Sequence, residues 1–234
     1  MTGRTHVALH GLGVQRGGRW LFQNLTLEVP RGRFVAVVGP SGVGKSSLLG
    51  CLAGSVPADT GTVRIVDPNG SAFEPSQCAS RLGVVFQHNL LVPNETVLTN
   101  TLCGRLGRYP WWRTCLGFPR ADRAEAWRIL KDLGLESHVN RWVCQTSGGE
   151  QQRTAVARAL LQQPDLYLAD EPVSNLDVYL TGRVLGILRQ EAHAHGRTVF
   201  CVLHNPDLVE RFADLVLSLS PGDPSAWKMR EVAR

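Results

Sequence analysis

Gly39-Pro40-Ser41-Gly42-Val43-Gly44-Lys45-Ser46-Ser47 fits the pattern G-x-x-x-x-G-K-[ST] and follows directly on the apolar run Phe34-Val35-Ala36-Val37-Val38. The order is strand, glycine loop, helix start. Gly39, Gly42 and Gly44 let the backbone turn with its N–H groups inward, and Ser46-Ser47-Leu48-Leu49 opens a helix whose positive end faces the same point. Polyphosphate is the natural occupant. Lys45 would reach the β- and γ-phosphates as a point charge, and the Ser46 hydroxyl would be one of the few protein ligands on a Mg²⁺ ion that keeps most of its waters. The alternative is a glycine-rich turn that matches by chance. The strand before it and the helix after it argue against that.

The 234 residues suffice for a proper core, and 43% hydrophobic with 19% charged residues is ordinary for a soluble protein. A net charge of +5 suits an anionic ligand but is too small to single one out. Cys51, Cys78, Cys103, Cys115, Cys144 and Cys201 form no C-x-x-C pair, and several sit in apolar patterns, which predicts buried, reduced thiols in a cytosolic protein. Met1 to Gly13 lacks the apolar stretch of a secretory signal, and no apolar run approaches the ~20 residues that a bilayer-spanning helix needs. Any membrane role is expected to run through a partner.

Val7 to Val29 alternates weakly between glycines, which predicts short antiparallel strands and hairpins, and Asp59 to Val66 reads as a turn and a strand. Leu82-Gly83-Val84-Val85-Phe86 is a further strand, with Gln87 directly behind it. Between Pro93 and Val143 the pattern becomes helical; Arg120 to Leu133 spaces Ala124, Trp127 and Leu130 as one helix face. Another helix follows Gly148-Gly149, with Ala155, Val156, Ala159 and Leu160 on one face. Leu166 to Ala169 and Thr198 to Leu203 are uniformly apolar, as in parallel strands covered on both sides.

The run from Leu166 delivers Asp170 and Glu171 at a strand's carboxyl end, where open α/β sheets bind ligands. Asp170 suits a metal held mostly through water, and Glu171 suits a base or orienting group for water attacking a γ-phosphate. Read alone, the pair is equally a solvated turn before Pro172. Ser147-Gly148-Gly149 is a helix start with a capping hydroxyl and bare glycines, which fits either a second phosphate surface or a capped helix and nothing more.

Taken in order, the glycine loop, Gln87 after a strand, Ser147-Gly148-Gly149, Leu168-Ala169-Asp170-Glu171-Pro172, Ser174-Asn175-Leu176-Asp177 and His204 after an apolar strand resemble the ATP-binding cassette (ABC) ATPases. The resemblance runs from Val7 to about Leu219. It implies an α/β P-loop NTPase fold with a mainly parallel core sheet, an N-terminal antiparallel β subdomain and a helical insert. The expected organisation is one domain over 1–234: β and core to 92, insert about 93–160, core about 161–220. It implies ATP and Mg²⁺ as ligands, with the loop from Gly39 to Ser47 (Pro40, Ser41 and Val43 included) around the phosphates. Ser46, Asp170 and Gln87 would serve the metal, and Gln87 would also sense the attacking water. Two copies would sandwich ATP between the loop of one and Ser147-Gly148-Gly149 of the other, with Asp177 crossing the interface. His204 would contact the γ-phosphate, although a lone histidine there is also compatible with a core position.

Val97-Leu98-Thr99-Asn100-Thr101-Leu102, Gly104, Leu106-Gly107 and Trp112-Arg113-Thr114-Cys115 look like the phosphonate-importer ATPases. The resemblance then implies a membrane permease and an extracytoplasmic substrate-binding protein as partners, no nucleic acid, and a peripheral place on the cytoplasmic face of the inner membrane. A lipoprotein or peptide exporter branch and a soluble regulatory ABC protein are the alternatives. Tyr109, Trp111, Trp112 and Phe118 are expected either in the insert core or on a permease-docking groove. The sequence also departs from the family. Arg16 stands where an adenine-stacking aromatic is usual, so that Arg16 or Trp20 must hold the base. Thr146 replaces leucine, and Glu150 stands where glutamine is common. A carboxylate ~6 Å from a phosphate charge costs about 3 kcal/mol at an effective dielectric of ~20, so Glu150 either points away or weakens closure. Val178 after Asp177 and Asn205 after His204 carry no chemistry.

Overall fold

The computed structural model describes residues 5–67, 69–77, 79–86, 90–114, 117–220 and 222–233. Two strands, β1 (Thr5–Arg16) and β2 (Arg19–Pro30), open the chain as a long antiparallel hairpin around Gly17-Gly18. They are longer than the glycines suggest, because register shifts in the β1–β2 ladder between Leu9 and Leu12 and between Leu12 and Val14 absorb Gly11 and Gly13 without ending the strand. β4 (Thr60–Val66) and the short β5 (Ala72–Phe73) complete this sheet in the order β2-β1-β4-β5.

The second sheet has the order β10-β9-β3-β8-β7-β6. β3 (Phe34–Val38), β6 (Leu82–Val85), β7 (Leu166–Ala169), β8 (Thr198–Val202) and β9 (Leu215–Ser218) run parallel, and β10 (Lys228–Glu231) returns antiparallel at the edge. β7 and β8 are buried throughout, as their unbroken apolar runs require. One face packs on the antiparallel sheet and on α1 (Lys45–Leu52), through Leu48, Leu52, Phe200 and Leu9. The other packs on the helices α5 (Gly148–Gln162) and α6 (Val178–His195), through Ala155, Ala159, Leu185 and Leu188. α7 (Pro206–Phe212) closes that side.

Among the described residues between β6 and β7 lie the helices α2 (Val97–Leu102), α3 (Trp111–Thr114), α4 (Arg120–Asp132) and α5. Two expectations about it need correction. α4 buries Asp122, Ala126 and Leu130, whereas Ala124 and Trp127 face out, with the Lys131 ammonium over the Trp127 ring. The face is rotated because Asp122 is drawn inward by the buried Arg105, which also pairs with Glu125, and by the Tyr109 hydroxyl at 2.8 Å. Trp111 and Trp112 are 78% and 57% exposed and so are not insert core; Phe118 alone of the aromatic quartet packs against the small cluster of Leu102, Ala126 and Leu161. Among the cysteines, Cys51 and Cys201 are buried as expected, and burial pushes the Cys51 thiol up to about 11. Cys144 is exposed, against expectation.

Candidate functional site

The sheet order puts β8 between β3 and β7, so three loops leave one edge side by side. β3 feeds the glycine loop, β7 ends in Asp170-Glu171, and β8 ends at Leu203-His204. The sequence therefore gathers its basic, acidic and imidazole groups at the carboxyl edge, where parallel sheets bind ligands.

Gly44 caps α1 at φ 107°, a left-handed backbone that a side chain disfavours, and a Cβ there would stand 2.9 Å from Cβ of Leu21. This glycine turns the chain straight from loop into helix. Lys45 is buried, and its Nζ donates to the carbonyls of Gly39 and Pro40 at 2.9 Å each. Burial lowers its pKa from the usual lysine value, while the charges of Glu171 and Asp170 oppose that shift. One cation thus lies within electrostatic reach of both carboxylates. Ser46 lies exposed on the first turn of α1.

Glu171 has φ 51°, an unusual conformation for a non-glycine residue. His204 Nε2 lies 2.7 Å from its Oε1, and the imidazole is half exposed. A carboxylate and an imidazole in contact beside a buried ammonium can orient water and move its proton. For metal, Asp170 and Ser46 supply hard oxygen donors on this edge. Among the described residues no three His, Cys, Asp or Glu gather into a cage, and Mg²⁺, which binds through one or two protein oxygens, substrate phosphate and water, needs none.

Ser147 caps α5, accepting from Glu150 N–H, while the Ser147 N–H donates to Glu150 Oε2 at 2.8 Å, a complete capping box. The Glu150 carboxylate also meets His138 Nε2 at 3.2 Å. Burial alone would raise its pKa; the Ser147 N–H, His138 and Arg153 outweigh that and hold it below the usual value. Glu150 is thus tied back to its own helix start. Thr146, at the leucine position, turns its hydroxyl inward to the Val143 carbonyl at 2.7 Å. Gly148 is open, with nothing within 4 Å of a Cβ placed there. Asp177 caps α6 by accepting from Leu180 N–H at 2.8 Å.

A cleft of about 240 Å³ runs beside the loop between Trp20, Leu21, Pro40, Ser41, Val43 and Gly222. Arg16 does not line it; its Nη1 donates to the neighbouring Gln15 carbonyl. Ser147, Gly148 and Gly149 do not line it either, so within one chain the glycine loop and the start of α5 do not meet in this cleft. Gln87 lies outside the described residues. Two residues of this edge escaped the sequence reading. Gln152 is polar in a helix interior, and His138 is remote in sequence from its partner Glu150; neither belongs to a recognisable spacing.

The family described as ABC transporter matches residues 22–174. The chain belongs to the ABC transporter family. This ABC chain is 39% identical over 207 residues to a phosphonates import ATP-binding protein of Nostoc sp., covering 87% of this chain and 84% of that protein. It is 39% identical to the protein of the same name from Hyphomonas neptunium, over 90% of this chain and 82% of that one. It is 36% identical to a hypophosphite import ATP-binding protein of Stutzerimonas stutzeri, over 92% of this chain and 64% of that one. Among solved structures, a dimeric ATP-binding cassette in a post-hydrolysis state with ADP and phosphate superposes with TM-score 0.82 at 27% identity, covering 97% of this chain and 99% of that one. The ABC chain is thus an ATP-binding, ATP-hydrolysing component of a transporter. None of its described helices is long and apolar enough to cross a membrane.

Proposed function

We propose that two copies of this ATPase close around two ATP molecules and drive import of a phosphonate or a related phosphorus oxyanion through a partner permease, which an extracytoplasmic binding protein supplies. The observation that carries the catalytic part is the Glu171–His204 contact of 2.7 Å beside Lys45. In this reading Lys45 and the backbone from Gly39 to Ser47 bind the β- and γ-phosphates. Glu171 accepts a proton from the attacking water, or orients that water, and His204 holds the γ-phosphate and the Glu171 carboxylate in register. Ser46 and Asp170, with waters, would hold Mg²⁺, which would supply positive charge against the charge that develops on the phosphates. Ser147, Gly148 and Gly149 bind the γ-phosphate of the partner's ATP, and Trp20 rather than Arg16 stacks on adenine. Gln87 reports metal and water to the insert, and Asp177 meets the other copy.

The cargo reading rests on the phosphonate and hypophosphite import proteins that match most of this chain. Exposed Trp111 and Trp112 support a permease-docking role for the insert. With no spanning helix among the described residues, the chain would sit on the membrane's cytoplasmic face through that permease. In proteoliposomes holding the ATPase, its permease and its binding protein, ATP hydrolysis should rise severalfold with a phosphonate or hypophosphite and stay basal with amino acids or sugars. Stimulation by a non-phosphorus substrate alone would contradict the cargo assignment.

A further inference from the structure

Gln152 is only 3% exposed, one turn into α5 from the glycines that open it. Its side chain spends its whole amide on a single segment. Nε2 donates to the Glu171 carbonyl at 2.6 Å and to Ser174 Oγ at 3.3 Å, and Oε1 accepts from the Asn175 N–H at 3.3 Å. The segment it grips starts at Glu171, whose φ of 51° needs support from outside the turn. It ends just before Asp177. A second contact joins the same two elements: a Cβ on Gly149 would lie 2.9 Å from the Asn175 carbonyl, so the helix start rides directly on this turn.

We infer that Gln152 is a positioning residue that makes the start of α5 and the turn from Glu171 to Asn175 one mechanical unit, so that α5 sets the aim of the Glu171 carboxylate. The inference rests on the reading of Glu171 as the base and of Ser147–Gly149 as the surface that meets the partner's ATP. In the closed dimer, ATP held by Ser147–Gly149 at one site then orients Glu171 of the other. The partners of the Gln152 amide all lie on the turn from Glu171 to Asn175. Its effect passes entirely through the backbone of Glu171, and an error of about 1 Å in the aim of a catalytic group costs on the order of 100-fold in rate.

The test compares steady-state ATP hydrolysis and ATP affinity for wild type, Gln152→Met, Gln152→Glu and Glu171→Gln. Methionine keeps the length and volume of Gln152 and removes all three hydrogen bonds, so a purely packing role predicts wild-type kcat. Positioning predicts instead a fall in kcat of about 10- to 100-fold, with KM for ATP within about threefold. Gln152→Glu should lose at least as much, because a carboxylate would face the Glu171 carbonyl. If that variant does not fold, the methionine variant decides alone. Wild-type kcat in Gln152→Met, or a raised KM with kcat unchanged, overturns the inference. Glu171→Gln separates the two levels: if it hydrolyses ATP at the wild-type rate, the base assignment falls, whereas a stalled Glu171→Gln beside a fully active Gln152→Met removes only the positioning role.

Discussion

A buried ammonium between a carbonyl-lined loop and two carboxylates is an expensive arrangement, and the phosphate-binding role proposed for Lys45 is what would offset its cost. Glu150 shows the complementary solution. Its charge, unwelcome near a nucleotide, is spent on the Ser147 N–H and on His138. Glu150→Ala should cost about 1 kcal/mol, or roughly 2–4 °C in Tm for a chain of this size. The sign with pH follows from its lowered pKa. The contribution is present above the ordinary carboxyl value of about 4.3 and fades as pH falls through the lower folded value, so the Tm gap between wild type and Glu150→Ala should narrow steadily as the pH is taken down from neutrality through the acid range. A gap that widens as the pH falls, followed by thermal melting, would rule out the carboxylate as its source. Trp20 gives a second prediction at this scale. Base stacking on an aromatic ring is worth about 1–3 kcal/mol, so Trp20→Ala should weaken ATP binding by about 5- to 150-fold in a titration, and Arg16→Ala by far less. The reverse order would assign adenine to the guanidinium.

Helices and strands differ in how plainly the chain announces them. β3, β7 and β8 could be read residue by residue because both faces are buried and nearly every position is apolar. The placement of Lys45, Asp170, Glu171 and His204 at the carboxyl ends of strands was legible for the same reason, since each follows closely on an apolar strand in the sequence. α4 was legible as a helix but not in phase, because its inner face includes Asp122, whose burial depends on Arg105 and Tyr109 far outside any local window. β10, Lys-Met-Arg-Glu at an edge, has a single apolar residue, Met229, and was invisible without its ladder to β9. Gln152 was illegible for the same reason as Asp122: its partners lie 19 to 23 residues away. At this scale Asp177 predicts a division of labour. Asp177→Ala removes the α6 cap and should cost about 1 kcal/mol in chemical denaturation, whereas Asp177→Asn should cost much less, since asparagine caps equally well. Equal losses in both would mean that the charge and not the cap is what matters.

On the scale of the whole molecule, the parallel sheet fixes one reactive edge, the antiparallel sheet buttresses its loop from one side, and the insert supplies α5 from the other. Two exposed tryptophans on the insert contribute little to the core, so Trp112→Ala should leave the Tm and the ATPase activity of the isolated protein near wild type while uncoupling hydrolysis from transport in the assembled system. Equal losses of activity alone and in the assembly would return Trp112 to a structural role. The central claim is that Glu171 does the hydrolytic work at a site completed by a second copy. It is tested most directly by recording, with Mg²⁺ and ATP, the hydrolysis rate and the solution mass of wild type and Glu171→Gln side by side. The account predicts that the wild-type chain of 25.6 kDa turns over and cycles between monomer and dimer, whereas Glu171→Gln stalls as an ATP-bound dimer of twice that mass. A Glu171→Gln protein that hydrolyses ATP at the wild-type rate, or that binds ATP tightly yet stays monomeric, would contradict it.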